Sequence, residues 1–168
     1  KIQPGEKVLD LGSGLGIDSF IAAHYTGPHG KVIGIDLSKN EVKHAEERAK
    51  ARGLDIMFKV QDMENMSLIP DGCIDVVISN GAFCLAPNKE KAFREIFRVL
   101  RPGGRMAICT SVNKCDLTPG VHWPMCMKMF IPVDQIEPIC KDIGFERVAV
   151  DDSNSLMQYD VDIEDQDG

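Results

Sequence analysis

Three glycines and three acids within the first 62 residues have the types and spacing to hold a charged ligand. Gly12, Gly14 and Gly16 fall in the run VLDLGSGLGIDSF over residues 8–20, between an apolar stretch and a helical pattern. Glycine admits positive φ and close backbone approach, as a ligand seated on a strand-to-helix turn requires. A tight turn with no ligand is the simpler reading of the glycines alone. Their GxGxG spacing departs from the GxGxxG dinucleotide fingerprint, and the absence of a following GK[ST] excludes a P-loop. Asp10 lies just ahead of the turn, where a carboxylate repels phosphates and favours a cationic amine or sulfonium. It could instead cap nearby amides. Asp36, with Leu37 beside it, closes the next apolar run, where an acid can accept ribose hydroxyls or cap a turn. Asp62 and Met63 suit adenine, the acid accepting from the exocyclic amine while the thioether packs on the ring; a surface acid beside a core methionine is the alternative. Together these residues describe an adenosine that carries a charged amino-acid tail.

A second set of side chains lies downstream, in SNGAFCLAPNK and SVNKCDLTPGVHWPMCMKMF. The first holds Cys84; the second holds Cys115, His122, Trp123, Cys126 and the methionines Met125, Met127 and Met129. Thiolates suit a soft centre if two or three converge, and buried or incidental thiols are the plainer reading. His122 is the acid–base candidate of the insert because histidine titrates near neutral pH; packing beside Trp123 is its alternative. The methionines could wall an apolar pocket, pack against an N-terminal segment or form an exposed patch for a protein partner or a second copy.

The elements that must position these groups alternate. Strands are expected at Val8–Leu11, Lys31–Ile35, Ile56–Val60, Ile74–Ser79, Arg105–Thr110, Phe145–Val150 and Met157–Ile163. Helices are expected at Ile17–Tyr25, from the Ser38 cap to Arg52, at Lys89–Leu100 and at Val133–Ile143. Glu41 completes a capping-box pattern with Ser38, and Pro102-Gly103-Gly104 closes the amphipathic stripe of Ala92, Phe93, Ile96, Phe97 and Leu100. Continuous apolar strands alternating with helices indicate an α/β fold, a mostly parallel sheet covered on both faces. Ligands collect beyond the carboxyl ends of such strands, where Asp10–Gly16, Asp36, Asp62 and Ser79–Leu85 all fall.

The chain of 168 residues, 43% apolar and 27% charged, suits one domain spanning 1–168. It opens at Lys1 and enters a core strand at once, so an excised domain that lacks an N-terminal helix or lid is expected. Seven of the 26 acids lie in the C-terminal segment 151–168, and the 19 others balance the 19 lysines and arginines. The body has no basic stripe, so nucleic acid is not an expected partner. No run reaches the roughly 18 apolar residues of a membrane span, and no secretory h-region is visible. Six cysteines without CxxC pairs suit a reducing compartment, and a cytoplasmic home is expected.

The motifs VLDLGSGLG, VIGIDLS, FKVQDMENM, DVVISNGAF and EIFRVLRPGGRMAI, in that order, closely resemble those of the class I S-adenosylmethionine-dependent methyltransferases. The resemblance implies a Rossmann-like seven-stranded sheet of order 3-2-1-4-5-7-6, with S-adenosylmethionine as cofactor. It places Gly12, Gly14 and Gly16 under the methionine portion, Asp36 at the ribose, Asp62 with Met63 at the adenine, and Asn80 beside the methyl group. It implies transfer of that methyl to a small-molecule acceptor; a catalytically silent module that binds the cofactor or a protein is the second reading. A nicotinamide-dependent dehydrogenase is weaker, since its fingerprint spacing is missing. SNGA stands where an NPPY-like motif would mark amine or amide acceptors. The wording VISN…L…NK resembles arsenite methyltransferases, which carry a cysteine directly after SN; here Gly81 stands there, Cys84 follows three residues later, and Cys126 lies near the place of a second. Methylation of arsenite through Cys84 and Cys126 is therefore a narrower expectation, and no metal ion is expected.

Overall fold

The computed structural model describes residues 1–114, 122 and 125–151, and of Cys126 the backbone alone. Strand β1 (Lys7–Leu11) is buried from Val8 to Leu11, as a strand covered on both faces must be. It pairs in parallel with β2 (Lys31–Asp36) on one side and β4 (Ile74–Asn80) on the other. β3 (Ile56–Val60) flanks β2, and β5 (Leu100–Cys109) flanks β4, so the order is β3-β2-β1-β4-β5. These are the first five positions of the expected Rossmann-like order, and every pairing is parallel.

Successive residues of the strands serve opposite faces. Leu9, Leu11, Ile35 and Val77 enter the larger core with Phe93, Ile96 and Cys140, whereas Val8, Val32 and Val76 pack with Ala22 on the other face. Helices α1 (Ile17–Thr26) and α2 (Lys39–Ala51) cover the second face. Helices α3 (Lys89–Val99) and α5 (Val133–Ile143) cover the first. The Ser38 hydroxyl accepts from the Glu41 amide at 3.3 Å, half of the expected capping box. The reciprocal half is missing because the Ser38 amide donates to Asp36 instead, at 2.8 Å.

Two expectations change, and a third turns on residues outside those described. β5 starts at Leu100 rather than Arg105, because Leu100 already pairs with Ile74 ahead of an irregular step that absorbs the Pro-Gly-Gly turn. The insert after β5 contains a small parallel pair, β6 (Val112–Asn113) and β7 (Ile131–Pro132), and a short helix α4 (Met125–Lys128). Residues 145–150 have no ladder partner among the described residues. A strand exists only beside a neighbour, and the neighbour expected for it, 157–163, lies outside the described residues. Among the described residues no helix is long and apolar enough to cross a membrane.

The loop after β3 hangs on one arginine. Arg98 donates to the Met66 carbonyl at 2.9 Å, the Ile69 carbonyl at 3.0 Å and both Glu95 oxygens, and it pairs with Asp71. Glu95 in turn accepts from the Met66 amide, and the guanidinium beside it holds its carboxyl below the usual range. Arg98→Met is expected to lower stability by about 2 kcal/mol in urea unfolding, since two loop carbonyls and a half-buried carboxylate lose their donor.

Candidate functional site

The chain leaves β1 through the glycine turn, and the backbone there explains each glycine. Gly12, Gly14 and Gly16 have φ of 68°, 49° and 84°, left-handed values that side chains resist. Close packing adds to this at Gly12, where a Cβ would lie 2.2 Å from the Ala82 Cβ and 3.8 Å from the Met63 Cε. The turn is pinned to β2 by the Gly12 and Ser13 amides, which both donate to the Ile35 carbonyl at 2.9 Å. The backbone of the turn therefore requires these glycines whether or not a ligand is seated on it.

Asp36 ties this turn to the next helix. One carboxylate oxygen accepts from the Gly14 amide at 2.9 Å and the other from the Ser38 amide at 2.8 Å. Each oxygen keeps a lone pair, so turn-capping and ribose binding are compatible. Leu37 beside it is 68% exposed, an apolar side chain left open next to the carboxylate. Asp62, two residues beyond β3, accepts from the Glu64 amide at 2.8 Å and is itself half-buried, while Met63 packs against the larger core and reaches the glycine turn.

Asp10 is the most unusual group of the site. It is 2% exposed and accepts from the Ser19 hydroxyl of α1 at 2.6 Å. Burial, with the negative charges of Asp18 and Asp36, pushes its carboxyl up to about 6 against the opposing Ser19 hydrogen bond. A cation placed among these three carboxylates is favoured.

Asn80 is exposed at the end of β4, opposite Cys109 of β5, and the next amide, Gly81, donates back to the Cys109 carbonyl at 2.9 Å. Beside them runs a groove of about 340 Å³ lined by Asp18, Ile21, Ile78, Asn80, Ala107 and Cys109. It is mostly apolar and runs between α1 and the carboxyl ends of β4 and β5.

The expected acceptor-side residues fare differently. Cys84 sits in a short 3-10 turn at Phe83–Leu85, is 7% exposed, and its thiol donates back to the Gly81 carbonyl at 3.5 Å. It is one of the four free cysteines of the described residues. Gly81, where the arsenite-type cysteine would stand, has φ of 72°, so a side chain there would be strained. His122 is exposed. Cys115, Trp123 and the sulfur of Cys126 lie outside the described residues, and with them the convergence of Cys84 and Cys126. Among the described residues no group of three or more His, Cys, Asp or Glu side chains is arranged to hold a metal ion.

Sequence reasoning missed three contributors. Gly34 in β2 lets Phe58 and the Ser13 hydroxyl close behind the turn, since a Cβ there would lie 2.6 Å from the Phe58 ring; a lone glycine inside a strand was the available signal. Ala82 seats on Gly12, and nothing in its type announced that. Lys89 opens α3 with a cation where the helix dipole disfavours one, and that conflict was legible.

Comparison with known proteins places this arrangement. A family model described as a methyltransferase domain matches residues 2–152. An arsenite methyltransferase of Halobacterium salinarum is 35% identical over 162 residues, covering 93% of this chain and 41% of the relative. Phosphoethanolamine N-methyltransferase 1 of Arabidopsis thaliana is 32% identical over 162 residues, covering 94% of this chain and 32% of the relative. Among solved structures, an arsenic(III) S-adenosylmethionine methyltransferase from Chlamydomonas reinhardtii superposes with a TM-score of 0.75 at 27% identity, covering 84% of this chain and 52% of that one. The chain thus spans less than half the length of either curated relative.

Proposed function

The chain belongs to the class I methyltransferase-domain family, and we propose that it binds S-adenosylmethionine on the glycine turn and methylates a small-molecule acceptor. The observation that carries this is the cluster of Asp10, Asp18 and Asp36 around a turn of left-handed glycines, an environment that selects a cation and rejects phosphates. The residues fit the cofactor. Asp36 retains acceptor capacity for two hydroxyls, Leu37 and Met63 supply apolar surface for a base, and the free Asp62 oxygen can take an exocyclic amine.

When bound, the cofactor supplies an electrophilic methyl, taken by an acceptor lone pair as the carbon–sulfur electron pair passes to sulfur. The chain contributes alignment and exclusion of water. Asp10 balances the positive charge that is lost in the reaction, and Asn80 borders the path of attack. The apolar groove beside Asn80 and Cys109 suits a small, soft or apolar acceptor. His122 is the candidate base for an acceptor that must lose a proton. Arsenite, through Cys84 and Cys126, is the narrower version, and its relatives named for arsenic support it. The cytoplasm is the proposed location, on the strength of six cysteines without CxxC pairs.

The test is formation of S-adenosylhomocysteine from S-adenosylmethionine with arsenite plus glutathione, or with phosphoethanolamine. Stoichiometric product with either supports the proposal; cofactor binding without product from any small acceptor favours the silent module. Asp36→Ala is expected to weaken cofactor binding about 100-fold in calorimetry, because two charge-assisted hydrogen bonds are lost along with the anchor of the turn.

A further inference from the structure

Lys89 is 8% exposed, and its ammonium faces backbone carbonyls from two separate segments. It donates to the carbonyls of Cys84, at 3.0 Å, and Ala86, in the turn after β4, and to the carbonyl of Met129, at 2.8 Å, in the insert after β5. All three of its donors are used. The position is a costly one for a lysine. Burial lowers its pKa, the Cys84 thiol and Glu64 carboxyl acting in the opposite direction, and the N-terminal end of α3 repels the charge. A residue serving only as a helix starter would be any small or acidic side chain.

Each segment is also tied elsewhere, the end of the turn to the loop after β3 and the insert to itself. The Glu64 carboxylate, two residues beyond Asp62, accepts from the Asn88 amide at 2.6 Å. Asn113 reaches the Met127 and Phe130 carbonyls, both at 3.4 Å. A cleft of about 470 Å³ lies between the two segments, lined by Pro87, Lys89, Met129, Phe130 and Ile131 among others. The turn held by Lys89 is the one that presses Ala82 onto Gly12 and follows Asn80 directly.

We propose that Lys89 is a positioning residue: its ammonium clamps the turn after β4 to the insert after β5 and so fixes the wall against which the methyl acceptor is aligned. This rests on the methyl-transfer reading for the word acceptor, and on the three hydrogen bonds alone for the clamp. A clamp made of charge-assisted bonds to carbonyls can be remade by another cation and not by an isosteric apolar chain, which separates it from simple packing.

The experiment compares wild type, Lys89→Met and Lys89→Arg by hydrogen exchange, calorimetry with S-adenosylmethionine, and turnover with arsenite plus glutathione and with phosphoethanolamine. Lys89→Met is expected to speed amide exchange about tenfold in residues 82–87 and 127–131, leave cofactor Kd within about threefold, and cut kcat/KM at least about 30-fold. Lys89→Arg should recover most of both effects. Unchanged exchange in either segment, acceleration spread through the glycine turn, or equal behaviour of the Met and Arg variants overturns the assignment. A wild type that forms no S-adenosylhomocysteine with any small acceptor contradicts the proposed function, while the exchange pattern still decides the clamp.

Discussion

Gly12→Ala is expected to destabilise the domain by about 3 kcal/mol and to weaken S-adenosylmethionine binding about 30-fold. The new methyl would lie 2.2 Å from the Ala82 Cβ, and the φ of 68° is itself unfavourable for alanine. A left-handed alanine costs about 1–2 kcal/mol, and overpacking adds about 1–3. Relief requires the turn after β4 to move off the glycine turn, and two ligand hydrogen bonds of about 1 kcal/mol each account for the loss of affinity. Thermal unfolding should show Tm falling by about 10 °C. The double variant with Ala82→Gly removes the clash and should recover the packing part only, leaving the cost of φ. If the single variant binds the cofactor as the wild type does, the turn is not its seat.

Asp10→Asn is expected to move stability and binding in opposite directions. The folded carboxyl is raised to about 6 from an unfolded 3.8, so the native chain holds a proton that the unfolded chain releases between those values. The contribution of this group to stability is therefore full below about pH 3.8 and is lost as pH rises through about 6, a loss of about 3 kcal/mol. Asparagine carries no charge to bury and can still accept from Ser19. Its variant should be more stable than wild type by about 2 kcal/mol at pH 8, with the gain vanishing by pH 4. Binding behaves conversely. Cofactor affinity of the wild type should weaken about tenfold between pH 7 and pH 5 as Asp10 takes up its proton. The Asn variant should bind about 30-fold more weakly at pH 7 and lack that slope. Equal affinity and an equal slope in the two proteins would remove Asp10 from the site.

The glycine turn and its carboxylates, proposed to hold the cofactor, were legible in the sequence because they are built from local rules. Glycines mark positive φ, apolar runs mark buried strands, and an acid at the carboxyl end of a strand falls where the fold gathers ligands. So Asp36 and the glycine turn are adjacent in space, the Gly14 amide bonding to the carboxylate 22 residues ahead. The acceptor half depends on non-local meetings that no spacing announces. Cys84 allowed two readings in the sequence, a thiol for a soft centre or a buried one, and its burial comes from a 3-10 turn that folds it back onto Gly81. The β6–β7 pair joins residues nearly twenty positions apart through two-residue strands, too short for any periodicity to register. Lys89 lies between these cases. Its conflict with the dipole of α3 was visible, whereas the Met129 carbonyl that resolves it comes from 40 residues away.

The central claim is that the glycine turn and its carboxylates hold S-adenosylmethionine, and calorimetric titration tests it most directly. S-adenosylmethionine and NAD are titrated separately into wild type and into Asp36→Ala at pH 7.5. The predicted result is one saturable site per chain for S-adenosylmethionine, displaced by S-adenosylhomocysteine, with no site for NAD and about 100-fold weaker binding in the variant. Binding of NAD at that place, or S-adenosylmethionine binding that ignores the loss of Asp36, would contradict it.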